Sequence, residues 1–178
     1  MNISKTILMA TTIALMTGAA SCGDATGEAP IIGKPEVSVD SAGHFTPELL
    51  NALGRVGGVS VSPDGTRVLY GVTYYDVEQN KGNCELHGMN IDGSDDRAIA
   101  HTPASEGCAT WLDGGKRIAF TYKQGERTQL WVMNADGTGR TCLTDLEGGV
   151  DGFVFSPDEK HVVLISQVKY GKTAQDYY

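Results

Sequence analysis

The sequence predicts an all-β fold, a partial β-propeller of four-stranded blades, from three observations. Residues Leu86–Thr102 and Leu130–Thr144 both follow the order strand, Asp-Gly turn, strand, and their Met-Asn-x-Asp-Gly segments lie 44 residues apart. The Ser-Pro-Asp turn at Ser62–Asp64 returns at Ser156–Asp158. The 23 glycines suit a chain rich in turns. A repeat of about 40–45 residues that holds short strands is typical of propeller blades.

Length and charge limit the class of protein. The chain has 178 residues and a formal net charge of −8, whereas a nucleic-acid partner requires a clustered basic surface. We therefore expect no nucleic-acid partner. The apolar fraction of 40% is that of a globular chain rather than a disordered one.

We assign residues 55–178 to an incomplete propeller with blades at about 58–102, 108–144 and 150–178. Propellers usually close a ring of about four to eight blades, and these residues supply only two blades and part of a third. Two apolar blade faces are then expected to lie open, and we expect the chain to be part of a longer protein. The alternation of apolar and polar residues predicts strands at 58–62, 67–75, 85–90, 97–102, 108–112, 116–123, 129–134, 140–144, 150–156 and 161–170.

The first 21 residues predict an export signal. Lys5 precedes the apolar run Ile7–Met16, which is too short to span a bilayer, and small residues follow it. Small residues directly before Cys22 resemble the bacterial lipobox, in which the cysteine is lipidated and anchors the protein to the membrane. Ala19 departs from that pattern, so ordinary cleavage of a signal peptide stays open as the alternative.

Two short segments separate the signal from the blades. Residues 22–45 are rich in Gly, Pro, Ser and acidic side chains, which indicates a flexible linker. Residues 46–54 predict a short helix over about Pro47–Leu53, capped by Thr46, with Gly54 after its end. We expect Leu49, Leu50 and Leu53 to pack on the first blade.

The sequence predicts no catalytic residue, metal ligand or cofactor site. A nucleophile elbow needs Gly-x-Ser-x-Gly on a strand-to-helix turn, and the sequences around Ser41 and Ser105 both lack the first glycine. Asn90–Asp96 has alternate oxygen ligands but lacks the glycine and the final acid of a calcium loop, so a hairpin turn is the better interpretation. Gly137–Gly139 is interpreted as the second copy of that turn.

The cysteines and histidines raise two further alternatives. Cys84, His87, His101 and Cys108 have the side chains that zinc prefers, but Cys84 and His87 point to opposite faces of one strand. Cys108 and Cys142 are expected on the first and fourth strands of one blade, about 14 Å apart and too far for a disulfide. A disulfide that involves Cys84 stays open. The two tryptophans, Trp111 and Trp131, are expected in the blade core.

Longer segments carry a resemblance to a known family. The short blade motifs resemble the blades of bacterial propellers, including the periplasmic protein of the Tol system. The continuous segment TPELLNALGRVGGVSVSPDGTRVLYGVTYYDVEQNKGN at 46–83 and FSPDEKHVVLISQVKYGK at 155–172 are more specific. They resemble the N-terminal propeller of secreted dipeptidyl and tripeptidyl peptidases of the prolyl oligopeptidase family, as found in Bacteroides-like bacteria.

The resemblance implies a serine exopeptidase whose propeller precedes an α/β-hydrolase domain with the catalytic Ser, Asp and His. It implies that the propeller restricts access and orients the peptide substrate, while this chain, truncated before the catalytic domain, is inactive alone. No substrate-binding residue of the family matches a position here. Cys84, His87, Gly88, Cys108 and Cys142 depart from the family's usual blade residues. The alternative is a non-catalytic, lipid-anchored periplasmic propeller that binds proteins.

Overall fold

A computed structural model describes residues 31–37, 39 and 42–168, together with the backbone of 6–12. Its helical elements are α1 (Pro47–Ala52) and a 3₁₀ turn (Asp113–Gly115). Its strands are β1 (Thr6–Thr12), β2 (Arg55–Val61), β3 (Arg67–Asp76), β4 (Lys81–Asn90), β5 (Arg97–Ala100), β6 (Glu106–Leu112), β7 (Arg117–Gln124), β8 (Arg127–Asn134), β9 (Thr141–Cys142), β10 (Gly152–Phe155) and β11 (His161–Gln167).

The strands form antiparallel sheets that correspond to the predicted blades. Blade one has the strand order β2-β3-β4-β5, and blade two has the order β6-β7-β8-β9. Each four-stranded sheet is a simple meander, because every strand pairs with the strand that follows it in the chain. In the third sheet β11 lies between β10 and β1. The prediction of an all-β, partial propeller is confirmed.

Two kinds of turn repeat as the sequence predicted. Asn90 N–H donates to the Ser94 carbonyl at 2.8 Å, and Asn134 N–H donates to the Thr138 carbonyl at 2.8 Å, which closes both Asp-Gly hairpins. In the Ser-Pro-Asp turns, the Ser62 hydroxyl donates to the Asp64 carboxylate at 2.6 Å. The Ser156 hydroxyl donates to the Asp158 carboxylate at the same distance. In each turn the bonded residues are only a few positions apart in the sequence, so a short motif specifies the turn.

The blades pack face to face through two apolar layers. Between blades one and two, Leu69 and Leu86 meet Trp111, Ile118 and Phe120. The second layer, between blade two and the third sheet, is formed by Leu112, Ala119, Leu130, Val132, Val150, Val162 and Leu164. Trp111 is 8% exposed and Trp131 packs against the first layer, so their core placement is confirmed.

The outer face of each end blade is partly open to solvent. On blade one, Val56 and Val61 of β2 are 67% and 52% exposed. On the third sheet, Val154 and Ile165 are 66% and 39% exposed. These three valines and one isoleucine form the apolar patches expected of blades whose outer faces have no neighbouring blade among the described residues.

Helix α1 begins where the sequence predicts, but two of the three leucines expected to pack on blade one are exposed. The Thr46 hydroxyl accepts from Leu49 N–H at 3.3 Å, and Pro47 starts the helix. Leu50 and Leu53 are 50% and 48% exposed, and no residue of the helix is buried. The prediction that Leu50 and Leu53 pack on blade one was therefore wrong, whereas Leu49 is half-buried and the helix contacts β3. A helix of six residues covers too little of the blade to bury them.

Some predicted strand bounds also differ. The connection between the predicted strands 67–75 and 85–90 is shorter than expected, because Asp76 pairs with Lys81 and strand β4 already begins there. The fourth strand of blade two contains only Thr141 and Cys142. In both places polar residues enter or leave the strand pairing. The alternation of apolar residues, from which the strands were predicted, does not change there.

The N-terminal predictions are largely outside the described residues. Cys22 and the rest of 13–30 are not described, so the lipobox and the linker boundary stay predictions. Strand β1, within the predicted signal, pairs antiparallel with β11 from Thr6↔Gln167 to Thr12↔His161. It thereby takes the position beside β11 that a third strand holds in blades one and two.

Candidate functional site

A groove lies at the edge of blade one, where the β3–β4 hairpin extends beyond its counterpart in blade two. Arg67 pairs with Asn90, 23 residues later, and Arg117 pairs with Asn134, 17 residues later, so the first hairpin is six residues longer. Its tip, the segment 31–37 and helix α1 line an open groove of about 630 Å³. The groove is therefore assembled from three separate parts of the chain.

The tip of this hairpin is held by Asp76. Its carboxylate accepts from Gln79 N–H at 2.9 Å and from the Gln79 side-chain amide at 2.5 Å. Asn80 takes a φ of 49°, the left-handed conformation that asparagine tolerates at a tight turn. The backbone hydrogen bond from Gln79 lowers the pKa of Asp76, so the carboxylate is ionised at neutral pH.

The groove combines apolar walls with acidic side chains. Isoleucines and valines line it together with Tyr75, and its charged lining residues are Glu48, Asp76 and Glu78. A backbone hydrogen bond at Glu48 itself, and a second bond with the Thr46 hydroxyl, lower the pKa of Glu48. The Arg55 guanidinium stacks over the Tyr75 ring at 4.3 Å, so a cation also lies at this groove.

A second polar cluster lies on the outer face of blade one. Nδ1 of His101 is 2.7 Å from Oε1 of Glu85, although no N–H is aligned for a hydrogen bond to that oxygen among the described residues. His87 is 3.7 Å from Glu85 on one side and 3.7 Å from Asp96 on the other. The Tyr70 hydroxyl donates to the Asp96 carboxylate. Burial, and to a smaller extent this hydrogen bond, raises the pKa of Tyr70 to about 12.

A third polar group is buried between blades one and two. The side chain of Glu106 is 0% exposed; it accepts from the Thr102 hydroxyl at 2.5 Å and lies 3.3 Å from the Arg140 guanidinium. Its Oε2 has no hydrogen-bond partner among the described residues. Burial raises the pKa of Glu106 against the effect of these partners. The group is enclosed, so it has no direct route to a ligand and its role is structural.

The predicted candidates for chemistry fall in separate places. Cys84 pairs with Thr73 and His87 with Tyr70, on opposite faces of β4, as the sequence analysis expected. Within the described residues, no three His, Cys, Asp or Glu side chains are grouped to hold a metal ion. Cys84, Cys108 and Cys142 form no disulfide with one another. Ser41 lies outside the described residues.

The remaining candidates are parts of turns or of the scaffold. The Asp92 carboxylate accepts from Ser94 N–H at 2.9 Å, which confirms a hairpin turn at Asn90–Asp96. Thr138 makes the same bond to Asp136 at 2.9 Å in the second copy. The Ser105 hydroxyl accepts from Cys84 N–H at 3.0 Å. This hydrogen bond connects the segment between the two blades to strand β4.

Sequence reasoning missed the groove and both buried carboxylates. The groove depends on contacts between distant segments, for which a single sequence carries no signal. For Glu85 and Glu106 a signal was present, because each is a charged residue inside or at the start of a strand. Such residues are rarely buried unless they are paired.

No protein-family model matches the chain. The fold is that of a propeller segment. An acylaminoacyl peptidase from Pyrococcus horikoshii matches 70% of this chain with 19% of its own, at a TM-score of 0.57 and 14% identity. A putative TolB from Agrobacterium tumefaciens matches 64% of this chain with 38% of its own, at a TM-score of 0.52 and 22% identity. At these identities the likeness shows the fold alone, and it defines the class of fold: a segment of a β-propeller.

Sequence comparison narrows that class. The chain is 45% identical over 154 residues, 84% of its length, to dipeptidyl-peptidase 5 of Porphyromonas gingivalis, and 34% identical over 145 residues to the protein of that name from Porphyromonas endodontalis. It is thus a propeller portion homologous to peptidases of the dipeptidyl-peptidase type. The chain spans only 22% and 21% of the length of these two curated relatives.

Proposed function

We propose that the chain is the N-terminal propeller part of a secreted serine exopeptidase that removes dipeptides or tripeptides from peptide substrates. In this proposal the propeller restricts access to a separate α/β-hydrolase domain and orients the substrate, while the chain itself supplies no catalytic Ser, Asp or His. The observation that carries the proposal is its sequence identity to the Porphyromonas dipeptidyl peptidases over most of its length.

The proposal also concerns location. The dipeptidyl-peptidase and TolB homologues indicate an exported or periplasmic protein. We propose in addition that Cys22 is lipidated and holds the protein on the membrane. Among the described residues, no helix is long and apolar enough to cross a membrane. Labelled palmitate incorporated by the wild type and by Cys84→Ser, but not by Cys22→Ser, would support the anchor, whereas equal labelling of all three would contradict it.

The peptidase proposal is tested on the complete product of the gene. The purified protein is incubated with chromogenic dipeptide substrates, with and without a serine-directed covalent inhibitor. We expect release that the inhibitor abolishes, and no release from residues 1–178 alone. Because the inhibitor reacts with the nucleophile, release that persists in its presence would contradict a serine mechanism, and no release from any dipeptide would count against an exopeptidase.

A second candidate function is a lipid-anchored periplasmic propeller that binds proteins without catalysis. The sequence similarity to TolB homologues favours it. The two candidates differ in the inhibitor experiment, since the binding protein releases no chromophore from any dipeptide substrate.

A further inference from the structure

The third sheet contains a strand from the N-terminal end of the chain. Strand β1 (Thr6–Thr12) pairs antiparallel with every residue of β11 (His161–Gln167) and forms one edge of that sheet. In blades one and two, the corresponding strands β3 and β7 pair instead with the strands that follow them directly, β4 and β8. The N-terminal segment therefore occupies the position of a third blade strand.

This pairing is made by backbone groups. A strand at the edge of a sheet presents a row of N–H and C=O groups that pair with any extended segment that reaches them. Three threonines and one isoleucine lie within Thr6–Thr12, and both residue types favour strands. Strand β1 is thus a suitable partner for β11, but the ladder does not require these particular residues.

The longer protein that the blade repeat predicts contains a competitor for the same position. A blade of four strands needs its own third strand, which follows β11 in the chain. Strands β1 and β11 are both synthesised before any residue that follows Tyr178, so β1 can pair first. A strand that a short turn joins to β11 closes a far smaller loop than β1 does, and it loses less chain entropy. The later strand should therefore displace β1 once both are present.

We propose that residues 6–12 act as a temporary third strand, which pairs with β11 in the newly made precursor and delays completion of the third blade. The same residues belong to the predicted export signal. The precursor then completes its propeller more slowly than the protein from which the signal has been removed, and the edge of β11 is covered in the meantime. This device goes beyond the peptidase proposal, because it concerns the folding of the precursor.

The experiment uses the complete product of the gene with its N-terminus intact. The protein is unfolded in urea and diluted into buffer, and pulses of hydrogen exchange followed by mass spectrometry report on the amides of residues 6–12 and 161–167. We expect both segments to become protected together early in refolding. The amides of residues 6–12 should later lose this protection, while those of residues 161–167 keep it.

A pair of prolines tests whether the pairing causes the delay. Alternate N–H groups of a strand point towards its partner, so the change Met9→Pro with Ala10→Pro removes a donor from the ladder in either register. This variant should complete refolding about tenfold faster than the precursor and as fast as a form that begins at Gly23, because a competing pairing acts as a kinetic trap. The matched control, Leu15→Pro with Met16→Pro, lies in the same apolar run beyond β1 and should refold as slowly as the precursor.

Three results would overturn the proposal. They are exchange of residues 6–12 at the unprotected rate throughout refolding, equal refolding rates for the precursor and the Met9→Pro/Ala10→Pro protein, and equal acceleration by the control pair. The first result is obtained with the unaltered precursor, so it decides the matter even where a variant fails to fold. None of them involves peptide hydrolysis, so the peptidase proposal is tested separately.

Discussion

Arg140 crosses the face of blade two to reach Glu106, so residues at opposite edges of one sheet form an ion pair. The two side chains approach to 3.3 Å, and the Arg140 guanidinium lies 5.1 Å from the Phe120 ring and 4.8 Å from the Tyr122 ring. Phe120 belongs to the apolar layer between blades one and two. The pair therefore lies within the contact between the blades.

Removal of the arginine should destabilise the fold strongly. Arg140→Ala leaves the fully buried Glu106 carboxylate with the Thr102 hydroxyl as its hydrogen-bond partner, which is expected to cost about 3 kcal/mol in the free energy of unfolding. The control is Arg97→Ala, since Arg97 and its partner Asp95 are 51% and 66% exposed. The Arg97→Ala change should lower the free energy of unfolding by less than about 0.5 kcal/mol. Urea unfolding measures both, and equal costs would contradict the account.

Stability should also depend on the ionisation of Glu106. Burial raises its pKa in the folded protein above the ordinary value of 4.5. The stability that Glu106 contributes through this pKa difference is therefore fully present below its unfolded-state pKa. This stability is lost as the pH rises through the folded-state pKa. Glu106→Gln removes this titration, so the stability of the wild type relative to the variant should fall from about pH 4 to about pH 8. Urea unfolding at both pH values measures it, and a constant or rising difference would argue against this role.

The two Asp-Gly turns offer a matched pair of glycine substitutions. Gly93 has a φ of 85° and open space around it, whereas at Gly137, with a φ of 92°, an added methyl would overlap the Ile99 carbonyl oxygen. Gly93→Ala should cost about 1 kcal/mol from backbone strain, and Gly137→Ala about 2 kcal/mol more. Thermal unfolding compares them. Equal losses would mean that the blade-two turn does not pack on blade one as described.

The two tryptophans should respond differently to the same change. The Trp111 indole N–H donates to the Ser60 carbonyl at 3.2 Å, and Arg67 lies 4.7 Å above its ring. The Trp131 indole nitrogen is buried without a hydrogen-bond partner among the described residues. Trp111→Phe should therefore cost about 1–2 kcal/mol more than Trp131→Phe in urea unfolding. The reverse order would contradict the link between β2 and β6.

Local motifs and periodicity were sufficient to predict the blades, while distant contacts were not predictable. Ser62 and Asp64 are two residues apart, so their turn is visible in the sequence. Arg140 and Glu106 are 34 residues apart, and their pairing depends on how the sheet brings its edges together. The exposure of Leu50 was mispredicted because apolar spacing indicates which side of a helix is apolar, but not whether the neighbouring sheet extends far enough to cover it.

The central claim is that this propeller segment belongs to a serine exopeptidase, and reading the source DNA beyond the codon for Tyr178 tests it most directly. The account predicts an open frame with further blades at a spacing of about 40–45 residues, followed by a hydrolase domain with Gly-x-Ser-x-Gly and downstream Asp and His residues. A frame that continues through blades and closes without such a domain would contradict the peptidase and favour the binding protein.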